Sequence, residues 1–133
     1  MFKEKQQMPA KATVSIDVSD MKQAIEFYTQ ALGCEFKKKY TDEWQVVTAG
    51  SLDLHIQQKE EGSIAAADHR RDYSRHWTPV HLDFIVDDIK PACDAVEKFG
   101  GTVEKQSFSE VADLANCADP FGNGFDFIRE QLS

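Results

Sequence analysis

The chain of 133 residues has the length of one domain, and 41% apolar residues can supply one hydrophobic core. A formal net charge of −8, with Lys37–Lys39 as the longest basic run, argues against a nucleic-acid partner, because phosphates favour basic proteins. No CxxC pair, no apolar leader and no run near the ~18 apolar residues of a membrane span is found, so a cytoplasmic protein without disulfides or membrane partners is expected.

The first half of the chain predicts one strand, one helix and three further strands. Apolar and polar residues alternate strictly from Thr13 to Val18, which is typical of a half-buried strand. Asp20 is placed to cap a helix that Gly33 ends. Three short strands are predicted next, at residues 35–40, 44–48 and 52–57.

A long polar connection follows, at residues 58–78, and it is rich in Arg and His. A loop of this length inside a compact domain is usually functional or mobile. The segment Arg75-His76-Trp77 leads directly into the next predicted strand. We consider two interpretations: a lid that meets an anionic group of a substrate, and a solvated surface loop.

The second half repeats the pattern of the first. A strand at Val80–Val86 and a helix at Ile89–Phe99, capped by Asp88, precede strands at 102–108, 111–117 and 125–130. The repeat predicts two β-α-β-β-β modules, at about 11–58 and about 79–131, within a single domain spanning 1–133. One module cannot cover both faces of its sheet, so the modules pair within the chain or with another chain.

Three segments carry a family resemblance. The first strand and helix (residues 14–33), the second strand (residues 81–88) and the turn Asp119-Pro120-Phe121-Gly122-Asn123 resemble signatures of the vicinal-oxygen-chelate superfamily, which includes glyoxalases, bleomycin-resistance proteins and extradiol dioxygenases. The resemblance covers roughly residues 11–131. It implies an α+β fold in which two βαβββ modules form a cupped, barrel-like mixed sheet with helices on the outside.

The resemblance also implies a position for a metal site. Members similar to the metal-dependent glyoxalases carry His, Glu, His and Glu, which fall on Thr13, Asp53, His81 and Asp126 in this sequence. One ligand is kept, two are shortened and one becomes a hydroxyl. Two alternatives remain: no usual four-ligand site, or one divalent ion (Fe, Mn, Ni or Zn) on Asp53, His81 and Asp126, with His55 replacing the missing His. In the second case the protein would be a metal-dependent lyase, isomerase or dioxygenase.

The polar faces of the predicted strands are expected to line the cup. The residues on these faces are Thr13, Ser15, Asp17, Asp53, His55, Gln57, His81, Asp83 and Asp126, together with Ile128. Isolated buried carboxylates are costly, so a metal, a cationic ligand, Arg partners or water should offset them. The candidate ligand-binding residues are Thr13, Asp17, Trp44, His55, Arg75, Trp77 and Asp83.

Ligand binding without catalysis is the other expectation. The bleomycin-resistance branch lacks the metal ligands and sequesters a cationic drug, and an acidic cup suits that mode. Trp44 and Trp77 could stack on a flat ligand, or could be buried for area alone. A small organic molecule bound in an acidic cup is therefore expected, in a homodimer that pairs the exposed sheet edges.

Overall fold

The computed structural model describes residues 10–130. In chain order the elements are β1 (Val14–Val18), α1 (Met21–Glu26), a π-helical segment (Phe27–Ala31), β2 (Glu35–Thr41), β3 (Trp44–Ala49), β4 (Leu52–Gln58), β5 (Ile64–Ala66), β6 (His69–Arg70), β7 (Leu82–Ile85), α2 (Ile89–Lys98), β8 (Thr102–Phe108), β9 (Ala112–Ala118) and β10 (Gly124–Glu130). No helix within this range is long and apolar enough to cross a membrane.

The strands form two four-stranded mixed sheets of identical topology. The orders are β1-β4-β3-β2 and β7-β10-β9-β8, and in each sheet the first pair is parallel while the others are antiparallel. The sheets are not closed, and no strand pair joins them within residues 10–130. The predicted α+β fold of two repeated βαβββ modules is therefore confirmed.

The sequence patterns explain where the helices begin. The Asp20 carboxylate accepts a hydrogen bond of 3.0 Å from the Gln23 amide at the start of α1. Asp88 accepts from Lys90 at the start of α2, at 3.3 Å. In β1 the alternation buries Ile16 and Val18, which satisfies the half-buried pattern.

The two modules share one core. The rings of Phe27 and Phe125 pack in a T-shaped arrangement with centroids 6.1 Å apart, which joins the π-helical segment to the last strand. Beside them Tyr28 donates a 2.7 Å hydrogen bond to the buried carboxylate of Asp119. Burial raises the pKa of Asp119, and the hydrogen bonds from Asn123 and Tyr28 oppose that rise.

Three predicted segments differ from the observed ones, and the first is the helix between Asp20 and Gly33, which continues beyond α1 as the π-helical segment. The strand predicted from Val80 begins at Leu82, so His81 precedes it. The predicted loop contains the short hairpin of β5 and β6, where the Gly62 amide donates to the Arg71 carbonyl at 2.7 Å. Backbone hydrogen bonds therefore order this segment, although its polar side chains show no alternation that would predict a strand.

Candidate functional site

Residues 71–76, which we call the connecting strap, are anchored on both modules. Arg71 Nε lies 2.8 Å from the Asp17 carboxylate on β1. The Tyr73 hydroxyl donates to the Lys59 carbonyl at 2.6 Å. At the other end His76 Nε2 lies 2.8 Å from the side-chain oxygen of Asn123. The strap is therefore held in place by long-range polar contacts.

The strap lies directly on the turn that precedes β10. Gly122 has a φ of 84°, and a Cβ there would lie 2.1 Å from the Ser74 carbonyl oxygen. A Cβ on Gly124 would lie 2.6 Å from the Arg75 guanidinium. At Gly122 the positive φ and the close Ser74 backbone both favour glycine, whereas at Gly124 the flexible Arg75 side chain could move to admit a Cβ.

A cavity of ≈ 830 Å³ lies between β1 of the first module and the starts of β7 and β10 of the second. Its apolar lining includes Val14, Ile16, Leu82 and Phe125. The charged and imidazole side chains that line it are Asp17, His69, Arg70, Arg71, Asp72, His76 and His81. A volume within about 300–1,000 Å³ and a mixed lining are typical of small-molecule sites.

His81 lies at the rim of this cavity, within a compact polar group. His81 Nδ1 is 2.8 Å from Asp126 Oδ2 and 3.2 Å from Asp83 Oδ1. Asn116 donates to the other oxygen of Asp126 at 2.6 Å. Burial and the neighbouring Asp126 carboxylate raise the pKa of Asp83, while His81 opposes that rise.

Within residues 10–130, His81, Asp83 and Asp126 form the one group that could hold a metal ion, with ligating atoms within 4.8 Å of one another. One imidazole and two carboxylates are suitable donors for a first-row divalent ion. Asp83 was predicted as a ligand-binding residue and not as a metal ligand. The sequence spacing of two between His81, just before β7, and Asp83, within β7, is the signal that would place both side chains on one side of the chain.

Asp53, which the family resemblance implies as a metal ligand, lies outside the group of His81, Asp83 and Asp126. It is 7% exposed, and its carboxylate is 2.8 Å from Lys37 Nζ and 3.5 Å from Lys11 Nζ. The hydrogen bond from Lys37 lowers the pKa of this carboxyl. Within one chain Asp53 therefore contacts two ammonium groups rather than His81 and Asp126.

The first module also carries an aromatic cluster. The rings of Tyr40 and Trp44 stack with centroids 4.2 Å apart, and Trp44 Nε1 donates to His55 Nδ1 at 2.9 Å. His55 and Trp44 thus form one group with each other and not with His81. Within a single chain His55 and His81 therefore lie in separate groups, one on each module, whereas Asp17 and His81 line the same cavity.

The other residues predicted to bind a ligand lie in different environments. Asp17 lines the cavity, whereas Thr13 is exposed just before β1. Arg75 forms an ion pair of 2.6 Å with Glu104, and Trp77 is 79% exposed. His69, Arg70 and Tyr73, which the sequence placed on a connection that could act as a lid or stack on a ligand, also line the cavity.

The family model of the glyoxalase-like domain matches residues 13–128. The chain belongs to the glyoxalase-like domain family. The match covers both modules and the connection between them, in agreement with the superfamily resemblance in the sequence.

Individual relatives agree with this membership. A probable lactoylglutathione lyase from Vibrio cholerae is 25% identical over 120 residues, covering 86% of each chain. The fosfomycin resistance protein FosX from Mesorhizobium loti has a TM-score of 0.70 at 15% identity, over 95% of this chain and 96% of that one. A lactoylglutathione lyase from Agrobacterium tumefaciens has a TM-score of 0.61 at 21% identity, over 92% and 95%. The structural similarities show the shared fold.

Proposed function

We propose that this glyoxalase-like protein binds a small organic molecule in the cavity between its modules. The observation that carries the proposal is the ≈ 830 Å³ space, whose apolar walls and converging polar side chains come from both modules and the connection. Relatives named for lactoylglutathione lyase activity and fosfomycin resistance act on small molecules, which supports this class of ligand.

A variant that fills the cavity tests this proposal. Ser15 lies on β1 and lines the cavity, so Ser15→Phe should occupy part of it. Small molecules that raise the melting temperature of the wild-type protein should have no effect on that variant. Ser107→Phe, at an exposed position of β8, is the matched control and should respond like wild type. An equal response of Ser15→Phe to every wild-type ligand would contradict the proposal.

A metal-dependent lyase, isomerase or dioxygenase is the second candidate, favoured by the group of His81, Asp83 and Asp126. These three side chains would hold a divalent ion (Fe, Mn, Ni or Zn), which would act as a Lewis acid on two vicinal oxygens of a substrate. Asn116 would orient the Asp126 carboxylate through its 2.6 Å hydrogen bond. His81 lines the cavity, so a bound molecule would lie close to this group.

Elemental analysis tests the metal proposal. Protein purified without a tag or chelator, and then incubated with each of the four ions, should retain close to one ion per chain. His81→Ala should lose it, whereas His69→Ala, on the hairpin and outside the group, should keep it. Equal metal content in both variants would rule out the assignment of these ligands.

We also propose that the protein is a homodimer in which the first module of one copy faces the second module of the other. The stacked Tyr40 and Trp44 are exposed on the first module, and Ile85 is 71% exposed on the second. Such pairing would bring the two polar groups of the separate modules together.

A further inference from the structure

The charged side chains around the cavity between the modules differ in whether another group of the chain pairs with their charge. The Asp17 carboxylate is neutralised by Arg71, whose Nε lies 2.8 Å away. The Asp72 carboxylate accepts hydrogen bonds from the amide and the hydroxyl of Ser74. Both acidic side chains that line the cavity therefore already have partners within the chain.

Arg70 differs from these groups. Its Nη1 donates a 2.8 Å hydrogen bond to the Gly62 carbonyl, which is a neutral acceptor. Among residues 10–130 no carboxylate lies within ion-pair distance of its guanidinium. Its charge and remaining N–H groups are thus available at the cavity wall, beside the imidazole of His69.

Because the chain has a net charge of −8, its overall field repels anions. An anion would need a local cation in order to bind, and Arg70 supplies one that no carboxylate of the described residues neutralises. A guanidinium can donate two parallel hydrogen bonds to a carboxylate, a geometry that an ammonium group lacks. The walls formed by Val14, Ile16, Leu82 and Phe125 suit an apolar or aromatic body attached to that anion.

We infer that the ligand of this cavity is an organic anion with an apolar body, and that Arg70 is the residue that selects its charge. The inference rests on the proposed function, since it concerns the same cavity. Of the two sequence-based expectations, a cationic ligand and a lid that meets an anionic group, it favours the second, because the cationic side chain without an acidic partner lies on the hairpin of β5 and β6.

Three probes of nearly equal shape test the inference: naphthalene-2-carboxylate, 2-naphthylmethanol and 2-naphthylmethylammonium, each titrated into the full chain by calorimetry. The carboxylate should bind about ten-fold or more tightly than the alcohol, as expected for a charge-assisted hydrogen bond. The ammonium probe should bind most weakly. Arg70→Gln should reduce carboxylate affinity to that of the alcohol without changing alcohol affinity, and Arg70→Lys should restore part of the loss.

Lys90→Gln is the matched control, because it removes the same unit of charge from α2, where Lys90 pairs with Asp94. It should leave carboxylate affinity unchanged, whereas an equal loss would assign the effect to long-range charge and overturn the role of Arg70. Equal binding of carboxylate and alcohol would overturn the inference while leaving the cavity as a binding site, provided that Ser15→Phe abolishes the binding. Failure of all three probes to bind would overturn both.

Discussion

At the scale of single residues, two positions with the same expected role have different surroundings. Asp53 and Asp126 both fall where the family resemblance implies a metal ligand. Asp126 lies 2.8 Å from His81, whereas Asp53 lies 2.8 Å from Lys37 on β2, two strands away in the same sheet. The sequence predicted which strand face each carboxylate occupies. It could not predict these partners, because they depend on neighbouring strands whose register, including a bulge at Phe36–Lys38, is set by the fold.

The ion pair of Asp53 leads to a prediction about pH. The pKa of Asp53 is lowered in the folded state, so its contribution to stability is present above the ordinary Asp pKa of 3.8 and is lost as pH falls through the lower folded value. Lys37→Met should raise this pKa towards its ordinary value, with Lys11 retaining part of the effect. Carboxyl NMR titration measures the change.

Lys38→Met is the control for that titration. Lys38 Nζ lies over the Tyr40 ring, 4.4 Å from its centroid, and has no ion pair with Asp53. The Asp53 pKa should be the same in this variant as in wild type. An unchanged titration of Asp53 in Lys37→Met would contradict the assigned cause.

At the scale of elements, the periodicity of apolar residues and the capping residues predicted the helices and most strands. The alternation in β1 and the caps Asp20 and Asp88 act locally, so short windows of sequence contain their signals. The connection is different, because its order depends on contacts such as Arg71 with Asp17, which are 54 residues apart. Its length and charge could be predicted, but its hairpin and its anchoring could not.

The close contact of the strap with the turn before β10 predicts a large effect of Gly122→Ala. A Cβ there would lie 2.1 Å from the Ser74 carbonyl oxygen, at a φ of 84°. We expect a loss of about 2–5 kcal/mol in the free energy of unfolding, since left-handed backbone costs about 1–2 kcal/mol and overpacking about 1–3 kcal/mol. Urea unfolding measures it.

Gly50→Ala separates the two causes of that loss. Gly50 has a φ of 60°, but no neighbouring atom lies within 4 Å of the position that an added Cβ would occupy. This variant should lose only about 1–2 kcal/mol. Equal losses at Gly50 and Gly122 would show that the strap adapts to the added methyl group and is not tightly packed on the turn.

At the scale of the whole molecule, the internal repeat predicted the fold because each half carries the same order of strand and helix signals. The site was less accessible to sequence reasoning. Strand alternation assigns residues to a face of one sheet, but it does not say which other sheet that face meets. His55 and His81 both lie on predicted cup faces, and yet each forms a polar group with residues of its own module.

In the proposed homodimer, each of those faces contacts the other copy of the chain. Sedimentation equilibrium tests this arrangement. Ile85→Asp places a charge on the open face of the second sheet, so it should shift the protein from dimer to monomer. Ile64→Asp, on β5 and 57% exposed, is the matched control and should remain dimeric.

If the facing modules complete one site, His55→Ala should also weaken metal binding at His81 in the dimer. A wild-type monomer, or a dimer in which Ile85→Asp has no effect, would contradict this arrangement, since the exposed apolar side chains on these two faces are the basis for it.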